Sequence, residues 1–200
     1  MQRFIFEKAR MLGHKIVPRI HVGDQSLLVG LVAQGAGIAV ISGAVDEALT
    51  DETMAECDVI LLAVRPAAAV EWLKNHAAKI DKHTVVIDCC GTKRKVCAAC
   101  FPIAEQYGIT YLGGHPMAGR EFSGLDYSLP TLFDGASMIF VPTRSSNERV
   151  LEQLEAYFMS LGFGQTVRCT AQQHDHMIAF TSQLAHVVSS AYIKSPEADK

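Results

Sequence analysis

The stretch Tyr111-Leu112-Gly113-Gly114-His115-Pro116-Met117-Ala118-Gly119-Arg120-Glu121 is where residue types and spacing in this 200-residue chain could do chemistry. It follows an apolar run, residues 109–112, that reads as a buried strand. Its three glycines let the backbone turn sharply and come close to a ligand at the strand's end. In an open parallel α/β sheet the ligand crevice lies beyond the carboxyl ends of the strands. His115, held between Gly114 and Pro116, would point into that crevice from a stiff loop. Imidazole changes charge near neutrality, so one placed there is a candidate for proton transfer; the plainer alternative is a loop histidine that only hydrogen-bonds backbone.

Other spacings point less clearly to chemistry. Cys97 and Cys100, with Cys89 and Cys90 nearby, could be imagined as a zinc or redox pair. They fall inside a predicted helix and no second Cys-x-x-Cys exists, so buried or half-buried thiols and no metal are expected. His174 and His176 flank Asp175, but alternate residues of a helix do not share a face. Asp175, Ser182 and His186, seven and four apart, do share one on an unbroken helix.

Positioning such residues takes a sheet, and from residue 43 onward the pattern supplies it. Residues 58–64 form a continuous apolar run, the mark of a strand covered on both faces. Residues 67–79 carry apolar side chains at helical spacing, 84–88 read as a second strand, and 93–107 as a helix that Pro102 must kink or split. After the histidine stretch the connection from 119 to 135, with Pro130, is long enough for a binding loop or lid. Residues 137–141 form another strand, Asn147 caps a helix running to about residue 161, and 165–169 are a further short strand. A last, mostly apolar helix spans about residues 170–193. This order predicts a mostly parallel sheet wrapped by helices. Residues 1–45 are less regular: a dinucleotide-binding domain should open with a strand and Gly-x-Gly-x-x-Gly, and the nearest approach is Gly35-Ala36-Gly37, with Val40 in the third glycine's place.

Composition bounds the function. A hydrophobic content of 49% fits one well-buried domain and the start of a second. Eighteen basic against 21 acidic residues, for a net charge of −3, with no basic cluster longer than Lys93-Arg94-Lys95, favours a small-molecule partner over nucleic acid. Scattered cysteines and an N-terminus carrying Arg3, Glu7, Lys8 and Arg10, unlike a secretory signal, predict a reducing, cytoplasmic setting. Residues 25–45 hold no charge. Gly30, Gly35, Gly37 and Gly43 interrupt them, so a buried α/β segment is expected there instead of a membrane span.

Three pieces of the chain, in order, resemble the prephenate/arogenate (cyclohexadienyl) dehydrogenase family, over roughly residues 43–193. Ala63-Val64-Arg65-Pro66 is similar to the turn that touches the cofactor's ribose side. Val86-Ile87-Asp88-Cys89-Cys90-Gly91-Thr92-Lys93 resembles the turn beside the nicotinamide. Here Gly91 replaces a serine that in many members hydrogen-bonds the catalytic histidine, and Thr92 is close enough to substitute. Gly113 to Glu121 is the most specific piece, supported by His174-Asp175 and by Thr181-Ser182-Gln183-Leu184-Ala185-His186, in which Gln183 replaces a histidine.

The resemblance implies a Rossmann-like α/β fold, a mostly parallel sheet with helices on both faces, over residues 1–169. Residues 1–45 would be atypical, and residues 170–200 would begin an all-α dimerisation and substrate domain that is truncated relative to the family. It places the glycine loop within the first fifteen or so residues, where only Gly13 stands. It implies oxidative decarboxylation of prephenate or arogenate in tyrosine synthesis, with NAD or NADP as cofactor. His115 would be the general base, Glu121 would close the site, and His186 would orient substrate with Gly114 and Ser182. Ala63, Val64, Arg65, Gly91 and Thr92 would lie against the cofactor. A homodimer is implied if the helical domain were complete, and the family's carboxylate-gripping arginine falls beyond Lys200. The competing expectation is a non-catalytic fragment or degenerate paralogue that acts through a partner.

Overall fold

The computed structural model describes residues 19–22, 38–39, 54–55, 57–119, 131–143 and 145–199. The Glu121 stretch and most of the uncharged segment 25–45 lie outside them. Among the described residues seven strands make one sheet: β1 (Arg19–Val22), β2 (Ile38–Ala39), β3 (Val59–Ala63), β4 (Val85–Asp88), β5 (Thr110–Pro116), β6 (Ser137–Val141) and β7 (Gln165–Arg168). Their order is β2-β1-β3-β4-β5-β6-β7. Pairing is parallel throughout except between β5 and β6, which run antiparallel. The chain steps outward from β1 to β2 and returns to the other side of β1 as β3. That reversal marks a Rossmann-like sheet and opens its crevice at the carboxyl ends of β1 and β3.

The continuous apolar runs are covered on both faces, as their composition requires. On one face Ile60, Leu62, Val86 and Tyr111 pack with Ala69, Leu73, Val96 and Cys100, from helices α1 (Pro66–His76) and α2 (Arg94–Tyr107). On the other, Leu61, Ile87, Leu112 and Phe140 pack with Leu151, Leu154 and Phe158 of α3 (Glu148–Ser160), where the Asn147 side chain accepts the Arg149 N–H as its cap.

Four expectations are corrected. First, Pro102 does not split α2, which runs through it as one helix. Pro102 is exposed, so its ring faces away from the sheet, while Val96, Cys97, Cys100 and Ala104 hold the helix on from both sides of it. Second, β1 ends at Val22, so in sequence the place for a glycine fingerprint comes after the first fifteen residues, and Gly35-Ala36-Gly37 lies outside the described residues. Third, residues 171–193 are not one uniform α-helix. A π-helical turn, Ala179–Gln183, separates α4 (Ala171–Ile178) from α5 (Leu184–Ile193), and the Thr181 hydroxyl bonds back to the Met177 carbonyl at 2.8 Å. A π-turn rotates the succeeding helical segment by roughly 100° relative to an unbroken helix. Asp175 therefore does not share one face with Ser182 and His186 in the way the simple spacing implies.

The fourth correction moves the histidine. Strand β5 does not stop at Leu112; it runs to Pro116, and His115 is a strand residue opposite Ile139 of β6. Strand β4 accompanies it only to Gly113, opposite Asp88. The last three residues of β5 thus project past the parallel part of the sheet, and among the described residues β6 alone pairs with them as a strand.

Candidate active site

The two glycines before His115 serve close approach, not a turn. A Cβ on Gly114 would lie 2.5 Å from the Asp88 carbonyl oxygen and 2.6 Å from Ile87 Cγ2. One on Gly113 would lie 2.8 Å from Cys97 Sγ and 3.1 Å from Val141 Cβ. Nothing larger than glycine lets β5 pass this close to β4, α2 and β6.

Beneath that crossing lies a sealed polar cluster. Lys93, fully buried, forms an ion pair with the equally buried Asp88, and its Nζ also donates to the Gly114 carbonyl at 2.6 Å. Asp88 further accepts the Tyr111 hydroxyl at 2.6 Å and the Cys90 N–H at 2.9 Å. Each buried charge is paired and hydrogen-bonded, which such burial demands. The cluster pins the peptide group that leads into His115. Burial, then the charge of Asp88, pushes the neighbouring Cys89 and Cys97 thiols up to about 12. These cysteines are therefore inert hydrophobes at neutral pH, as the spacing of Cys97 and Cys100 within a helix predicts.

On the other side of Gly114, His115 is half-buried. Its Nδ1 lies 2.8 Å from Nε2 of His174, a buried side chain at 2% exposure on α4. His174 Nδ1 lies 2.8 Å from Asp175 Oδ1. The same carboxylate accepts the N–H of Lys93 at 2.7 Å and of Arg94 at 2.9 Å, at the start of α2, where Lys93 itself supplies no side-chain cap. Burial pushes the Asp175 carboxyl up, but the Arg94 amide, the His174 ring and the Lys93 amide more than offset this and hold it below the usual carboxylate range. Burial first, then His174 and Lys93, lowers His115 from 6.5 to about 4.

The remaining nitrogen of His115 looks toward open backbone. A Cβ built on the exposed Gly91 would meet only the His115 ring among the described residues, Nε2 at 3.8 Å and Cε1 at 4.0 Å. Gly91 thus stands where a serine hydroxyl would reach His115, and its absence leaves a bare surface beside the imidazole. Thr92 is exposed, and the partner His115 has is His174 instead. Ala63, buried, ends β3, with Val64 half-buried and Arg65 exposed after it; they and Gly91 lie at the carboxyl ends of adjacent strands, where this sheet type takes a flat cofactor ring. Among the described residues, Gly91 leaves room beside the His115 ring for a planar group.

Ser182 is half-buried in the π-turn, and His186 is exposed on α5 without a hydrogen bond to any described residue. No hydrogen bond joins either of them to His115 among the described residues. What the residue pattern left without a role is Asp88, Lys93 and Tyr111. The available signal was an acid closing an apolar strand with a lysine five residues on.

Fold and crevice together define an α/β domain of the dinucleotide-binding type, with an imidazole at the mouth of its cofactor cleft. Residues 32–165 match the family model for the prephenate dehydrogenase nucleotide-binding domain, and the chain belongs to that family. It is 26% identical over 139 residues to a prephenate dehydrogenase of Lactococcus lactis, covering 69% of this chain and 37% of that protein. To a cyclohexadienyl dehydrogenase of Zymomonas mobilis it is 26% identical over 138 residues, 69% of this chain and 46% of the other. The chain thus spans less than half the length of these curated relatives. The crystal structure of prephenate dehydrogenase from A. aeolicus, in complex with hydroxyphenyl propionate and NAD+, superposes with a TM-score of 0.76 at 21% identity, covering 92% of this chain and 72% of that one.

Proposed function

We propose that this chain is the cofactor-binding, base-carrying part of a dehydrogenase that oxidatively decarboxylates prephenate or arogenate on the way to tyrosine. The observation that carries the reading is His115: a half-buried imidazole on the free end of β5, with Nδ1 engaged and Nε2 beside the bare backbone of Gly91. In this reading the substrate's ring hydroxyl gives its proton to His115 Nε2. Ala63, Val64, Arg65, Gly91 and Thr92 would hold NAD or NADP, which would supply the acceptor for the hydride leaving the same carbon. The bond to the ring carboxylate then breaks, carbon dioxide leaves, and the bonding pair completes the aromatic ring.

An imidazole lowered to about 4 is uncharged and open to a proton at neutral pH. The substrate's own carboxylates, arriving beside it, raise its basicity toward the working range. Glu121 closes the site, and Ser182 and His186 meet the substrate from the helical side. Residues 170–200 begin the helical substrate and dimerisation domain. On α4, the π-turn and α5, the large apolar side chains from Met177 to Ile193, apart from the half-buried Ile178, are 46% to 74% exposed, as expected of a helix made for further helical partners. The six cysteines stand as thiols, which supports a reducing, cytoplasmic setting, and no helix among the described residues is long and apolar enough to cross a membrane.

The test is His115→Asn in the full chain, assayed with prephenate and with arogenate. Turnover should fall about 10²–10⁴-fold, the usual worth of a positioned base, with calorimetric affinity for NAD and NADP little changed. Unchanged turnover removes the assignment. No binding of either cofactor at millimolar concentration leaves the non-catalytic paralogue as the remaining reading.

A further inference from the structure

A series of hydrogen bonds links the His115 ring to the N-terminus of α2, and at about pH 8.5, where ordinary imidazoles are uncharged, the donors in that series follow from chemistry. An ionised carboxylate only accepts, so the proton between Asp175 Oδ1 and His174 Nδ1, 2.8 Å apart, belongs to His174. An uncharged imidazole carries a single N–H. His174 Nε2 is then a lone pair, and the 2.8 Å contact with His115 Nδ1 must use the proton of His115. One more step fixes the outcome: with its N–H on Nδ1, His115 has a bare lone pair on Nε2, the nitrogen that faces Gly91.

We infer that Asp175 is a positioning residue, which sets the tautomer of His115 through His174 and so keeps the Nε2 lone pair available to a substrate hydroxyl. The inference deepens the reading of His115 as general base and rests on it for its catalytic meaning. Asp175 is itself held. The Lys93 and Arg94 amides, at 2.7 and 2.9 Å, and the positive end of the α2 dipole fix it as an anion. Its carboxyl is accordingly held below the ordinary range. His174 is 2% exposed, so no solvent competes for the central bond. Because α4 supplies Asp175 and α2 receives it, the docking of the last helical segment on the sheet domain and the proton pattern at His115 become one event.

The experiment reads the ring nitrogens of His115 by long-range ¹H–¹⁵N correlation in the full chain at about pH 8.5, where an ordinary imidazole is uncharged. The result expected is one tautomer, protonated Nδ1 with pyridine-like Nε2. A pyrrole-like Nε2 overturns the inference without any variant. In Asp175→Ala and in His174→Leu, which keeps the Asp175 cap on α2, His115 should show a mixture of tautomers. Both variants should lower kcat about tenfold or more, short of the about 10⁴-fold that a wrong tautomer costs a serine protease, with the KM for cofactor little changed. If Asp175→Ala lowers stability while His174→Leu leaves kcat and tautomer untouched, Asp175 is a helix cap only and the inference fails. Failure of the general-base reading is seen separately, as unchanged turnover of His115→Asn, and does not alter the tautomer measurement.

Discussion

Two polar clusters lie either side of Gly114, and they differ in what water can reach. Asp88, Lys93 and Tyr111 are all buried, and their carboxylate, ammonium and hydroxyl groups bond one another and the backbone. His115, His174 and Asp175 form an equally connected chain, but its end ring is half-buried and one nitrogen faces open backbone. The first cluster cannot exchange a proton without breaking the crossing of β4 and β5; the second can. Saturation makes a polar group structural, and one unfilled position on an otherwise saturated chain makes it chemical.

That contrast can be broken from its structural side first. Lys93→Met leaves the Asp88 carboxylate buried without its counter-charge and should cost about 3–5 kcal/mol of stability by denaturant unfolding. Adding Asp88→Asn should return part of this, because no unpaired charge then remains; a Lys93→Met chain as stable as the parent contradicts the structural role. Gly114→Ala drives a methyl to 2.5 Å from the Asp88 carbonyl and should cost about 1–3 kcal/mol, the range for overpacking, shown by a lowered unfolding midpoint. Gly91→Ser is the mildest. Among the described residues its Cβ meets only the His115 ring, at ordinary contact distance, so stability should stay within about 0.5 kcal/mol, as for a surface change. The serine should still alter turnover, since its hydroxyl reaches the open nitrogen; a large loss of stability would mean that Gly91 is not the bare surface described.

Much of this was legible in local sequence. Apolar runs located β3, β4, β6 and β7 to within a residue or two, Asn147 announced its helix, and His115 with Gly91 stood out through motif resemblance. What was hidden is non-local. The extension of β5 through His115 depends on pairing with β6, some 25 residues on, and glycines that permit close packing read the same as glycines that permit a turn. The partner of His115 comes from a helix 59 residues away, and the cap of α2 from 82 residues away. Strand β1, Arg19-Ile20-His21-Val22, has two polar residues in four and makes no apolar run. The π-turn has no local signature beyond Thr181, whose back-bonding only the folded helix displays.

The central claim, that the open cluster holds a proton acceptor and the closed one does not, is tested most directly by following the ring of His115 through a pH titration by NMR in the unliganded chain. Burial, aided by His174 and Lys93, predicts an uncharged imidazole with a midpoint at about 4 in place of 6.5. The unfolded chain then binds the extra proton first, so stability is complete above about 6.5 and falls as the pH drops toward about 4. A midpoint near 4 with the ring still exchanging with solvent is the predicted result. A midpoint at or above 6.5 would mean a charged imidazole at the site and would contradict the account.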